Sequence, residues 1–181
     1  MAITLIVEDG TIVAGANSYV SLASATTYLD NWYPTTSGTW DSATVAQQTV
    51  ALASAAYAMD RLYGRKYLSI LPPASTQAML WPRFTFMDNT YRLISNGQIP
   101  QCIKDAQCEL AFVYLQGVSL FPNETDNRLY KNTQVDVGVK INQTYWEKPK
   151  DVEHYDGFRK IELILYPVLQ QESNDRSRLS L

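Results

Sequence analysis

His154 is the only histidine in the chain, and it stands in the run Glu153-His154-Tyr155-Asp156 with a carboxylate on either side. A histidine and an acid are two parts of a nucleophilic triad, but no G-x-S-x-G elbow presents a serine to them. A small hydrolase built on His154 is therefore a remote reading. The two cysteines, Cys102 and Cys108, lie six residues apart in a segment of helical period. On a helix that spacing puts them about 9 Å apart along the axis and on different faces, too far for a disulfide. Two reduced, mostly buried thiols are expected. There is no C-x₂-C pair and one histidine, so no zinc site and no other metal is expected. The phosphate-cradling glycine motifs G-x-x-x-x-G-K-[ST] and G-x-G-x-x-G are missing as well, so no cofactor is expected. Asp105 and Glu109 stand at i, i+4 on the same helix, where with Lys104 they read as an exposed charged face.

Basic residues offer a second kind of chemistry. The first 60 residues carry five acids (Glu8, Asp9, Asp30, Asp41, Asp60) and no Lys or Arg, whereas residues 61–83 carry Arg61, Arg65, Lys66 and Arg83 and no acid. Such a cluster could contact phosphates. Its plainer role is to complement the negative end of a helix dipole at Arg61, Arg65 and Lys66. Tyr63 and Tyr67 lie among these bases and could stack on nucleobases if they faced a groove. The whole chain has a formal charge of −3 and a pI near 5.1, which weighs against general nucleic-acid binding, since phosphate affinity rests on clustered cations.

The elements that would position these groups read as mainly α. At 181 residues, with 46 % apolar and 18 % charged, the chain can bury one core. No uncharged apolar run approaches the roughly 18 residues that span a bilayer. The start, Met1 to Gly10, lacks a basic region and turns acidic at Glu8, so a soluble, non-secreted protein with no membrane partner is expected. Thr4–Val7 and Asn17–Val20 read as short extended segments. Ser21 caps a first helix with Leu22, Ala25, Leu29 and Trp32 on one side. Asp41 or Ser42 caps a second, striped by Val45, Thr49, Leu52, Ala56, Met59 and Tyr63, with Gly64 as a C′ cap. A hairpin or loop turns at Asp88-Asn89. Pro100, at N1, opens a third helix whose stripe is Ile99, Ile103, Ala106, Leu110 and Val113.

The boundary falls near residue 120. Residues 1–120 read as a small helical bundle, and 121–181 as an extended limb, a short helix and a C-terminal tail. Gln134 to Tyr145 alternates as a strand or extended limb. Phe158 to Leu169 reads as a fourth helix capped by Asp156 and shortened by Pro167. Gln170 to Leu181 is polar apart from Leu179 and Leu181, and disorder in isolation is expected for it. A limb with little to bury against in its own chain suggests a subunit of an assembly. Twelve tyrosines and four tryptophans suit subunit interfaces as well as a core.

Particular stretches add a resemblance. Gln77-Ala78-Met79-Leu80-Trp81-Pro82-Arg83 precedes a run from Ile99 to Ala111, while Val7–Gly10, Ala16–Ser21 and Ala56–Asp60 leading into Tyr63-Gly64 stand in matching order. Together they resemble a tailed-phage family labelled DnaT-like single-stranded-DNA-binding protein, whose better-understood relatives are head–tail connectors, or adaptors. The likeness covers about residues 5–117 and extends to the C-terminal third only in layout. After Gly117 the chain departs from the pattern, with an insertion-like Ser119 to Asn132. The resemblance implies a structural virion protein without catalysis, twelve copies forming a ring at the neck between the portal protein and a tail or nozzle protein, with double-stranded DNA passing through. It further implies that the limb reaches the portal, which would engage Trp146, Phe158, Leu169, Leu179 and Leu181. Taken at its label, the family instead implies a DnaT-like single-stranded-DNA binder in replication, dependent on Arg65 and Lys66.

Overall fold

A computed structural model describes residues 3–34, 38–70, 76–121, 131–136, 140–145 and 156–170. The fold is mainly helical, with two small two-stranded sheets. Its helices are α1 (Leu22–Trp32), α2 (Gly38–Asp41), α3 (Val45–Tyr63), α4 (Gln101–Leu115) and α5 (Asp156–Leu165). The strands are β1 (Phe86–Met87) with β2 (Leu93–Ile94), and β3 (Lys131–Asp136) with β4 (Lys140–Tyr145), each pair antiparallel. The limb expected over Gln134–Tyr145 thus turns back on itself, pairing Val135 with Ile141 and Lys131 with Tyr145.

The α3–α4 pair forms the centre. Alanines at 51, 55, 56 and 58 of α3 are fully buried, and their small side chains let α4 approach closely. The stripe read for α3 holds from Thr49 to Tyr63, while Val45 is exposed. Thr44, not Asp41 or Ser42, caps this helix. Its hydroxyl accepts from Gln47 N while the Gln47 side chain accepts from Thr44 N at 2.8 Å, a reciprocal capping box. Gly64 continues in right-handed helical geometry (φ −56°) into the 3₁₀ turn Gly64–Lys66. A Cβ there would lie 2.2 Å from Leu80 Cδ1, so the end of that leucine side chain would have to shift to admit one. Pro100 serves as the N-cap of α4, one residue before its expected place.

On α1 the inward stripe ends one residue away from the expected one. Ala25 and Leu29 are buried, but Trp32 is exposed. Tyr33 takes the inward position: its ring stacks on Phe112 with centroids 5.0 Å apart, and its hydroxyl donates to Glu109 Oε2 at 2.7 Å.

Helix α5 corrects the expectation of a free C-terminal limb. It packs on α4, burying Phe158, Ile161, Leu165 and, from the 3₁₀ turn Tyr166–Val168, Val168. Each such side chain contributes about 1.5–3 kcal/mol, enough to hold the helix in its own chain's core. Leu68 N donates to Val168 O at 2.8 Å and Gln170 N to Lys66 O, while Asn89 donates to the carbonyls of Tyr166, Pro167 and Leu169. Phe158 and the half-buried Leu169 are therefore engaged within the fold, and residue 120 does not bound its core. Trp146, Leu179, Leu181 and the tail beyond Gln170 lie outside the described residues.

Polar groups set how these parts meet. Gln107 on α4 is fully buried; its Oε1 accepts from Tyr19 N at 2.8 Å, and its Nε2 donates to Ser18 Oγ at 2.7 Å and Leu52 O at 2.9 Å. Glu8, also buried, accepts from the backbone N–H groups of Gly10, Ile12 and Val13. Gly10 is at φ +103°, and a Cβ there would fall 1.8 Å from Gly97 O. Replacing Gln107 by Leu keeps the volume but leaves the buried Tyr19 N–H without its acceptor, while Ser18 Oγ keeps its bonds to Val20. Gln107→Leu should lower unfolding free energy by about 3 kcal/mol in urea titrations; an unchanged midpoint would show that the amide is dispensable.

Candidate nucleic-acid interface

The four bases separate into two groups. Arg61, Arg65 and Lys66 are exposed, at the end of α3 and in the 3₁₀ turn that follows. Arg83 does not join them. It is 7 % exposed, donates to Ser69 O at 2.9 Å, and lies 5.6 Å and 5.8 Å from the ring centroids of Tyr67 and Trp81. Burial lowers its pKa. Arg83 is a core cation, enclosed by the Tyr67 and Trp81 rings and bonded to the carbonyl of Ser69. Tyr63 and Tyr67 are buried too, so neither presents a face to a ligand.

Tyr57, one helical turn before Arg61, is the aromatic that sequence reading passed over. It is 57 % exposed, and the Arg61 guanidinium sits over its ring, 5.1 Å from the centroid. The i, i+4 spacing of an aromatic and an arginine was the available signal. Beside this pair runs a groove of about 840 Å³, floored by Ala16, Ala53, Ala56 and Leu80 and rimmed by Arg61 and Arg65. On the other side of Tyr57 a second hollow of about 410 Å³ opens between Tyr57, Tyr114 and Phe121, with Ala53 and Ser54 also lining it. The Tyr57 and Phe121 rings meet edge-on, 6.0 Å apart.

Asp60 stands in the wall of the larger groove. Tyr19 Oη donates to both its carboxylate oxygens at 2.8 Å, and Leu80 N donates to Oδ2 at 3.1 Å. Desolvation by burial pushes its pKa up to about 6, against the pull of those hydrogen bonds and of Arg83 and Arg61. Arg61 and Arg65 stand beside it on the rim of the groove.

The remaining candidates are structural. Glu109 is not on an exposed face; it is 3 % exposed and accepts from Tyr28 Oη at 2.9 Å, Tyr33 Oη and Lys160 Nζ at 2.8 Å. Lys160 also bonds to Tyr33 Oη. Burial works against the lysine's charge, yet Glu109 and Tyr33 raise its pKa overall. Cys102 and Cys108 are free thiols, each pushed up by burial to about 12, which makes them poor nucleophiles at neutral pH. Among the described residues no three His, Cys, Asp or Glu side chains gather to hold a metal ion. No described helix is long and apolar enough to cross a membrane. Glu153 and His154 lie outside the described residues, and Asp156 begins α5.

Asp60 gives the site a pH signature. Its pKa rises from 3.8 unfolded to about 6 folded, so the folded state binds the extra proton between those values. Stability from this group is highest at low pH and is lost as pH rises from about 4 to 6. The stability difference between wild type and Asp60→Asn should therefore shift against wild type across that window, by about 3 kcal/mol at most. Denaturant titrations at several pH values measure it, and a difference that stays flat would contradict the assignment.

Comparison with known proteins adds one finding. The family model described as "Putative DnaT-like ssDNA binding protein" matches residues 3–180. No curated protein and no solved structure matches the chain. The match agrees with the DnaT-like label of the resemblance and does not extend to head–tail connectors. Because it spans nearly the whole chain, including α5, this protein belongs to the DnaT-like ssDNA binding protein family.

Proposed function

We propose that the chain binds single-stranded DNA along the outer side of α3. The observation that carries this reading is the exposed Tyr57 ring bearing the Arg61 guanidinium, with Arg65 on the same groove and Lys66 exposed next to it in the chain. An unstacked base can lie on an exposed aromatic face, a contact that contributes about 1–3 kcal/mol and tolerates any sequence. Phosphates on either side would meet the arginines. The floor of small side chains lets a strand approach the helix closely, between Arg61 and Arg65 on the rim. The family description supports the same ligand class.

Fluorescence anisotropy with a labelled oligonucleotide tests this. Tyr57→Ala should weaken binding by about 5- to 150-fold, the range that one lost stacking contact spans. Arg61→Ala and Arg65→Ala should each reduce the slope of log affinity against log salt by about 0.7. Arg83, being buried, should leave that slope unchanged when replaced by Lys. Binding that is missing at low salt, or indifferent to Tyr57 and Arg65, would overturn the proposal.

Charge favours a second reading. The net charge of −3 and a first 60 residues without a single base suit a surface past which duplex DNA slides without sticking. A head–tail adaptor ring at the virion neck, between a portal and a tail protein, needs such a surface. With Phe158 and Leu169 engaged inside the fold, portal docking would fall to Trp146, Leu179 and Leu181. Electron microscopy of intact virions, with mass spectrometry of the same particles, should then show a ring of this chain below the portal. Its absence from purified particles would remove this reading.

A further inference from the structure

Asn96 and Gly97 form the middle of the turn between β2 and α4. Gln98 N donates to Ser95 O at 3.1 Å, and Gly97 sits at φ +81°, the signature of a type II turn. Asparagine before glycine is a chemically special pair. The glycine carries no Cβ, so nothing hinders its nitrogen from reaching the carbonyl carbon of the asparagine side chain. The chain holds this pair once.

The fold leaves both reacting groups free. Asn96 is exposed, and neither its side-chain amide nor Gly97 N makes a hydrogen bond among the described residues. Other asparagines are held. Asn17 donates to Thr4 O and accepts from Ile6 N, both at 2.9 Å, and Asn89 donates to Tyr166 O and Leu169 O at 2.7 Å. Asn31 is exposed on α1, but the next nitrogen, that of Trp32, is committed to the helical ladder. The surroundings of the turn give a reaction there a structural consequence. Asn96 N donates to Thr85 Oγ1 at 2.9 Å, and Gly97 O lies so close to Gly10 that a Cβ on Gly10 would come within 1.8 Å of it. The turn thus braces the loop that Glu8 organises.

We infer that Asn96 is a self-modifying site, converting to aspartate and isoaspartate through a cyclic imide formed with Gly97. Gly97 N attacks Asn96 Cγ and gives its proton to solvent. The new N–Cγ bond closes a succinimide ring, the Cγ–Nδ2 bond breaks, and ammonia leaves with a proton returned from solvent. Water then opens the ring. Attack at Cγ gives aspartate on an unaltered main chain. Attack at the main-chain carbonyl of residue 96 gives isoaspartate, the chain now running through Cβ and Cγ. Nothing is oxidised or reduced, and water is the co-reactant. Aspartate adds a negative charge to the turn. Isoaspartate also lengthens the main chain by a methylene and displaces Gly97 O from its seat on Gly10. The inference does not rest on DNA binding.

Incubating the full chain in warm, mildly alkaline buffer, with peptide mass spectrometry at intervals, tests it. The peptide spanning Asn96 should gain the mass of amide-to-acid conversion and split into two chromatographic forms, isoaspartate the larger. Asn17 and Asn89 should convert at least about tenfold more slowly, since two hydrogen bonds of about 1 kcal/mol each must open first. Asn96→Ser should abolish the change at this turn while melting as unaged wild type does. The isoaspartate form, isolated by chromatography, should melt below unaged protein, whereas freshly prepared Asn96→Asp, which keeps the main chain, should not. An Asn96 amide that lasts as long as that of Asn17, or an isoaspartate form that melts with Asn96→Asp, would overturn the inference.

Discussion

One buried amide ties the fold together. Gln107 sits on α4 with no exposure, accepts from the backbone of the N-terminal segment and donates to Ser18 and to the carbonyl of Leu52 on α3. Apolar packing alone would let the N-terminal segment slide along the helix pair, since the hydrophobic effect has little directional preference. Three hydrogen bonds to a single side chain in a low-dielectric interior allow one register only.

That register propagates outward. With Tyr19 N held by Gln107, the Tyr19 side chain lies where its hydroxyl meets Asp60, and Asp60 in turn holds Leu80 N. Leu80 then packs against Gly64 and walls the groove beside Arg61 and Arg65. The surface proposed to meet DNA is thus the outer end of a polar chain that begins at the centre of the core. Glu109 does similar work on the far side of α4, joining α1 and α5 through two tyrosines and Lys160.

The helices were legible because their signals are local. The stripe from Thr49 to Tyr63 and the run through Ile103, Ala106 and Leu110 appear as periods within a few turns, and both are buried as read. The short N-terminal segments, with Val7 bridging Ser18, and the turn at Asp88-Asn89 also announce themselves through nearby residues. Long-range partners were not legible. Glu109 looks like surface charge beside Lys104 until Tyr28, Tyr33 and Lys160, distant in sequence, are brought to it. Arg83 reads as one more base of a cluster, and only the fold reveals that Tyr67, Trp81 and Ser69 enclose it. Of the candidate patch, the three bases near the end of α3 were visible in sequence. The aromatic that completes it was not, because burial separates Tyr57 from Tyr63 and Tyr67 and composition does not.

The docking of α5 has a consequence for biosynthesis. Its apolar stripe covers α4, yet forty residues separate the end of one helix from the start of the other. A nascent chain leaving the ribosome therefore exposes α4 well before the helix that shields it emerges. Closing contacts such as Leu68 to Val168 span about a hundred residues, a separation that slows folding. During that interval the uncovered face of α4 is the surface on which a chaperone, or the α5 of a neighbouring nascent copy, would act.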